Sequence, residues 1–571
     1  MRAMRPQPLA ARHLAALAVI VAIGVALAMP RMAGPISPDG AQSYLPMARR
    51  LLAEGFAFLQ RPESIGVAPF AYAYPALLGA HETAVRWANV ALFGVAIVLV
   101  FFAGRVAHSN RAGLFAAAFL AASPTLPPYI ANVLTEPPYI FLTAAWIASI
   151  ASVMRGRIVA GTLCGGIALA LAVFTRPAAM YLPVVMGALF LWLAFRSRGD
   201  ERRIDAAIAA MHALALAIVG LYIARNAIAF GYPSIATGSG SALFLGVNAM
   251  VDGFDPMYYG LSFDEGSVTR GVAHLSIEGD RLLRGVALEE LRDTSWPVLI
   301  EMWARKGWMF LFVSSGEDGL NVPLLRGWRA AMVILAFAGV AWRPRSRLVI
   351  AAAAMAAYMW VVHLPVLYNH RYSVAIDLPL AFLAAVGLAE SLAAPLRFGG
   401  VVVALVLGEA LAMGSLSSAG PGEPRLDRSH HEVLWSKDAG IRSGAPVIEI
   451  PITDVPGLDT WSHYVLTLNL SVAPQARGAP CPAIRLRYKA LDEPGYAPQR
   501  VVRIPIRADG EMHERNIGMA YPLGMNREGT VRLELECGSP AKIEIGRISI
   551  SEPNRGSHYR ERYLNRQKEA R

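Results

Sequence analysis

The sequence predicts an α-helical polytopic membrane protein of about eleven transmembrane helices, followed by a C-terminal β-sandwich outside the membrane. Three observations carry that prediction. The 571 residues are 55% hydrophobic with a mean hydropathy of +0.41, more apolar than a soluble core requires. Apolar runs of about 20 residues, the length that spans a bilayer's hydrocarbon layer, recur between residues 10 and 420. Beyond residue 419 the hydrophobic period changes from helical to alternating.

The spans are expected at 14–29, 84–104, 112–127, 137–154, 158–174, 178–195, 205–224, 328–342, 348–366, 373–394 and 398–418. The first run follows Arg2, Arg5 and Arg12 and ends in Ala28-Met29-Pro30-Arg31, a poor cleavage site, so it reads as an uncleaved span. Every second connection is basic: Arg105 and Arg111; Arg155 and Arg157; Arg196, Arg198, Arg202 and Arg203; Arg343, Arg345 and Arg347; then Arg397. This alternation puts the N-terminus in the cytoplasm and, with an odd span count, the tail outside. Pro124, Pro127 and Pro128 shorten the third span, but removing it breaks the alternation. The net charge of +11 is therefore largely orientation charge and does not indicate a nucleic-acid partner.

Two long outer loops interrupt the rhythm, at 30–83 and 225–327. In the first, Tyr44, Leu45, Met47, Ala48, Leu51 and Leu52 recur at helical spacing and predict an amphipathic surface helix. In the second, Trp296, Trp303 and Trp308 suit a membrane boundary. The chain thus divides into a membrane module over 1–418, a small antiparallel sandwich over 419–552 and a polar, basic tail over 553–571. Leu466, Leu468, Leu470 and Val472 set the sandwich's period of two, repeated at Ile484–Tyr488, Val531–Leu535 and Ile543–Ile550. Cys481 and Cys537 both fall in this tail, where an oxidising compartment admits a disulfide between them; two free thiols are the other reading.

The candidate chemistry lies at outward span ends. Asp39 follows the first span within Ser-Pro-Asp-Gly, and Glu136 opens the fourth within Leu-Thr-Glu-Pro-Pro. Each acid alone is explained by capping or by the helix dipole. Arg176, Arg225 and Arg371 also fall at outward ends, against the charge bias of the other loops. Three guanidinium groups around two acids suit an anionic group such as phosphate, which arginine's planar fork binds well. A carboxylate can take the proton of an acceptor hydroxyl while arginines stabilise a departing lipid phosphate.

In this order the motifs resemble the GT-C superfamily of integral-membrane glycosyltransferases, especially its protein O-mannosyltransferase and lipid A aminoarabinose transferase branch. The matching pieces are Asp39–Leu52, Ala73–Leu78, Leu134–Pro137, Thr175–Pro177, Arg225–Asn226, Phe244–Asn248 and His370–Tyr372. The resemblance implies an inverting transferase of a bacterial inner membrane, working on the periplasmic face and moving a sugar from a polyprenyl-phosphate donor to a cell-envelope lipid or glycan. It implies Asp39 as catalytic base or acceptor-orienting residue, Glu136 near the acceptor, and Arg371, Arg225 and Arg176 at the donor phosphate. Tyr44, Tyr72, Tyr74, His370 and Tyr372 are candidates for the substrate cleft, with core packing as the competing reading for the first three. Several relatives carry two adjacent acids where this chain has Asp39–Gly40, which leaves the acceptor type open and argues against a protein O-mannosyltransferase. The sandwich resembles appended carbohydrate-binding modules in architecture only.

No cofactor is expected. His363 and His370 lack a neighbouring carboxylate, so a divalent metal, known in some of the superfamily, is not favoured here. The rival class is a transporter or flippase of a lipid-linked or glycan substrate, using Asp377 and Glu409 within spans. Those acids stand apart, and no repeated halves are visible.

Overall fold

A computed structural model describes residues 9–34, 36–37, 39–247, 269, 272–273, 275–312, 321–394 and 399–405, and in the tail 432–443, 447–455, 465–473, 483–491, 493–496, 501–505, 509–518, 528–535 and 543–552. Cys481, Cys537, Glu409, residues 553–571, most of the expected eleventh span and the side chain of His370 lie outside the described residues. The chain divides into a helical unit (1–247, 275–280 and 287–420) and a second unit (248–274, 281–286 and 421–571).

The helical unit begins with α1 (Ala11–Ala28), a short π-turn (Gly40–Tyr44), α2 (Leu45–Glu54), α3 (Phe56–Leu59) and α4 (Pro69–Leu77). There follow α5 (Glu82–Ala107), α6 (Asn110–Ala121), α7 (Pro127–Ile130), α8 (Glu136–Met154), α9 (Ile158–Thr175), α10 (Leu182–Arg196) and α11 (Gly199–Phe230). The second loop supplies α12 (Ser239–Val247), α13 (Ile277–Asp293) and α14 (Trp296–Phe312). The remaining helices are α15 (Asn321–Trp342), α16 (Arg347–Val362), α17 (His370–Ser373) and α18 (Asp377–Ser391). Among the described residues, eight helices are long and apolar enough to cross a membrane, and α16 is shorter but equally apolar in character. The expected third span is the 12-residue α6, which ends at Ala121 ahead of the prolines. The expected eleventh is represented by helical residues 399–405.

Lipid-facing rows of these helices stay bare: Val159, Phe195, Leu221 and Phe337 are all exposed large apolar side chains. By contrast α18 is apolar and buried almost all round, which makes it the helix the others pack against. The first-loop helix expected from Tyr44–Leu52 is α2, whose buried side places Ala48 against Phe58, Tyr72 and Ala76.

The second unit holds two four-stranded antiparallel sheets. Their strands are β1 (Glu432–Ser443), β2 (Val447–Ile452), β3 (Val465–Val472), β4 (Ala483–Ala490), β5 (Val501–Pro505), β6 (His513–Gly518), β7 (Gly529–Leu535) and β8 (Ile543–Glu552). The orders are β1-β8-β3-β6 and β2-β7-β4-β5. Inward side chains at every second position, including Leu466, Leu468, Leu470, Leu486, Val531 and Leu533, form one shared core. A register shift between Asn469 and Leu470 leaves Gly546 unpaired on β8, so Ile545 and Ile548 both face inward despite their odd spacing.

Candidate active site

Four segments far apart in sequence bring the candidate charges together. The first is the loop after α1. Ser37 N donates to Asn132 Oδ1 at 2.9 Å, Ser37 Oγ donates to Val133 O at 2.9 Å, and Gly40 N donates back to Ser37 Oγ at 3.1 Å. Buried Arg86 ties the same two loops by donating to the carbonyls of Arg31, Met32 and Ala131. A Cβ on Gly40 would lie 2.7 Å from Val133 O and 2.9 Å from Ser37 Oγ. No side chain fits there, which explains why this chain lacks a second acid beside Asp39.

Asp39 is in the αR region and makes no capping hydrogen bond, so its expected alternative role as a cap is not realised. Its Oδ2 accepts from Arg371 Nη1, and Tyr44 Oη lies 3.4 Å from the same oxygen. Burial pushes the Tyr44 phenol up, against the opposing pull of Arg371, and keeps it a neutral donor. Glu136 stands in the first turn of α8 and is fully buried. Arg371 donates to it through Nε and Nη2, a two-pronged contact, while Nη1 serves Asp39. The guanidinium thus stands between the two acids. They offer no free chelating pair, and among the described residues no three His, Cys, Asp or Glu side chains cluster.

Arg176 follows α9, and its Nη2 lies 3.9 Å from Glu136 Oε1. Tyr139 and Tyr372 flank the guanidinium, with ring centroids 5.6 and 5.8 Å from Cζ. Nη1 is buried and has no hydrogen-bond partner. Beyond Tyr372 the stack continues through His363, at 5.5 Å, and Phe310, a further 5.0 Å away.

Asp39, Glu136, Arg176, Arg371, Tyr44 and Tyr372 therefore share one constellation. Arg225 belongs to a different group: Nη1 donates to Asn226 Oδ1 at 2.7 Å, and the cation lies over Tyr222 and Phe230. Tyr72 faces that group, interacting with Tyr222 and Arg225, and packs edge-on against Phe58. Tyr74 stacks on Phe70 and packs against Leu45, Val85 and Val133, so packing accounts for it.

Sequence reasoning missed Tyr139, Phe310, Lys306 and Arg329. Tyr139 lies three residues after Glu136 on one helix face, a spacing that could have revealed it. Asp377, weighed above as a transport residue, forms an ion pair with buried Arg329 and accepts from Thr125 Oγ1 at 2.5 Å. Arg329 Nη2 also donates to Ser373 O at 2.9 Å, which fixes the end of α17 next to Arg371. Asn369 Oδ1 caps the start of that short helix through Arg371 N at 2.9 Å.

No family model matches the chain, and no curated protein matches it. Among solved structures it is similar to the Archaeoglobus fulgidus oligosaccharyltransferase tethered to an acceptor peptide containing the NVT sequon, with TM-score 0.43, 13% identity, and coverage of 72% of this chain and 56% of that one. It is similar also to the oligosaccharyltransferase AglB of the same organism in complex with an inhibitory peptide and a dolichol-phosphate, with TM-score 0.42, 14% identity, and coverage of 72% and 57%. A third is the Archaeoglobus fulgidus enzyme in complex with Zn and sulfate, with TM-score 0.38, 13% identity, and coverage of 70% and 53%. The chain spans just over half the length of the structures it matches.

Proposed function

We propose that this protein is an inverting glycosyltransferase that moves a sugar from a polyprenyl-phosphate donor to a cell-envelope lipid or glycan, on the periplasmic face of a bacterial inner membrane. The observation that carries the reading is the joining of Asp39, Glu136 and Arg371, from three separate loops, with Arg176 and its unpartnered Nη1 beside them. A structural ion pair needs one acid and one base. Two acids, two guanidinium groups and an unsatisfied buried donor suit a site that awaits an anion.

In this mechanism Asp39 receives the proton of the acceptor hydroxyl as its oxygen attacks the anomeric carbon. The bond from that carbon to the phosphate oxygen breaks, and the lipid phosphate leaves with one more negative charge. Arg176 Nη1 and the remaining N–H groups of Arg371 receive it. The proton and the leaving charge are coupled: once Asp39 is neutral, its hold on Arg371 Nη1 weakens and that positive charge turns to the phosphate. Glu136, bound by two prongs and fully buried, stays put and keeps the guanidinium in register. No step requires a metal, because Arg371 supplies the cation between the acids.

The test is to incubate purified protein in bilayers with a panel of polyprenyl-phosphate sugars and follow consumption of each. One donor consumed by wild type and spared by Asp39→Asn supports the reading. No donor consumed across the panel, with Asp39→Asn behaving as wild type in transport assays, overturns it.

A further inference from the structure

The second loop ends in α14, a helix outside the expected spans that carries apolar side chains on two sides. One side is buried: Leu299, Met302, Lys306, Met309 and Phe310 face the protein. The other is bare. Ile300 is 58% exposed and Trp308 37%, with Ala304 exposed between them at helical spacing and Trp296 exposed at the start. Exposed Glu301 and half-buried Arg305 sit along one border of this strip. Trp296 and Trp303, edge to face at 6.3 Å, lie on the other.

The inner side is tied to the outward ends of two spans through hydrogen bonds to its last turns. Trp360 Nε1 donates to Gly307 O at 3.0 Å, and Tyr368 Oη donates to Met309 O at 3.1 Å. Arg329 donates to Leu311 O at 3.0 Å. Lys306 Nζ donates to Gly246 O at 2.7 Å and Val366 O at 3.0 Å, which locks α14 to α12 and to the turn leading to Arg371. A Cβ on Gly246 would come within 2.4 Å of Pro365 O, so only glycine allows this approach. These bonds set α14 at the depth of Trp360 and Val361. Val361 is itself a bare apolar side chain at the end of a span, 54% exposed.

We propose that the bare strip of α14 beds in the acyl chains of the bilayer leaflet nearest Asp39 and Arg371, as a continuation of the lipid-facing rows of α15 and α16. An amphipathic helix with tryptophans at its borders and charges along one edge partitions at this boundary. Val361, exposed next to the Trp360 that bonds Gly307, gives the strip an apolar neighbour at the end of a span, which suits lipid contact. The consequence is that the membrane braces the turn bearing Arg371.

The test places a diazirine-bearing phenylalanine at Ile300, Ala304 or Trp308 in the full chain, reconstituted in phosphatidylcholine–phosphatidylglycerol vesicles. After illumination, mass spectrometry identifies what each residue has captured. Phospholipid adducts at all three positions, with water insertion dominating at a Glu301 control, are expected. Water insertion at all three, or capture of a second polypeptide chain, overturns the proposal. The measurement needs no turnover, so its result stands apart from the transferase reading.

Discussion

Arg371 reaches Glu136 through both Nε and Nη2 across 235 residues of chain, and the same guanidinium reaches Asp39 through Nη1. One cation thus defines the relative positions of two acids on different loops. Removing either acid has different consequences, because Glu136 is fully buried whereas the Asp39 side chain is 38% exposed.

Asp39→Asn keeps the shape of the side chain and removes the base. Turnover is expected to fall roughly 100- to 10,000-fold, the range typical of a lost general base. Thermal stability stays close to wild type, and donor binding is kept or tightened, because Arg371 Nη1 is released toward the phosphate. Steady-state rates beside a donor-binding isotherm check this.

Glu136→Gln leaves a buried guanidinium without its full-charge partner. The expected loss of stability is about 3 kcal/mol, the scale for breaking one side of a buried ion pair. Unfolding in detergent, followed by intrinsic fluorescence, should show a larger drop than for Asp39→Asn.

Arg176→Gln keeps a polar side chain between Tyr139 and Tyr372 but loses the charge and the free donor at Nη1. We expect the donor KM to rise on the order of tenfold or more, which corresponds to about 1.4 kcal/mol of lost binding. An unchanged KM would remove Arg176 from the donor site.

Gly40→Asp forces a Cβ against Val133 O and Ser37 Oγ. Overpacking of this kind costs about 1–3 kcal/mol, and here it also shifts the loop that aims Asp39. Reduced stability with a disproportionate fall in turnover is the expected pattern. Gly40→Ala should show the same pattern more mildly.

Lys306 is buried with two backbone carbonyls as its partners, and burial pushes its ammonium down to about 7 from an ordinary 10.5. The folded state therefore releases this proton at lower pH than the unfolded state. Between about pH 7 and 10.5 the unfolded chain holds more protons, so this group's contribution to stability rises with pH across that window and is flat below it. Lys306→Met should flatten the rise in melting temperature between pH 7 and 10.

Eight of the eleven expected spans were legible because bilayer thickness imposes one length and one composition on each of them. Tail alternation was equally legible, since a two-faced sheet writes its period directly into the chain. Arg371 could be nominated because positive charge at an expected outward span end runs against the bias of the other loops, and Asp39 and Glu136 because they are acids expected at that same face. Their mutual contact, and the separation of Arg225 from them, depend on packing between helices that no local pattern encodes. Lys306 went unseen because it answers backbone carbonyls, which leave no mark in a sequence, and Arg329 because its pairing with Asp377 spans 48 residues and two helices. Gly40 was read as a missing acid, whereas its meaning lies in Val133, a residue on another loop.

The long reach between Glu136 and Arg371 also has a bearing on biosynthesis. At about 5–20 residues per second, the ribosome needs roughly 10–50 s to polymerise the stretch between them. Throughout that interval Glu136 can have Arg176 beside it but not the two-pronged partner that fixes its place. Any product truncated ahead of residue 371 therefore lacks the side chain that joins Asp39 to Glu136.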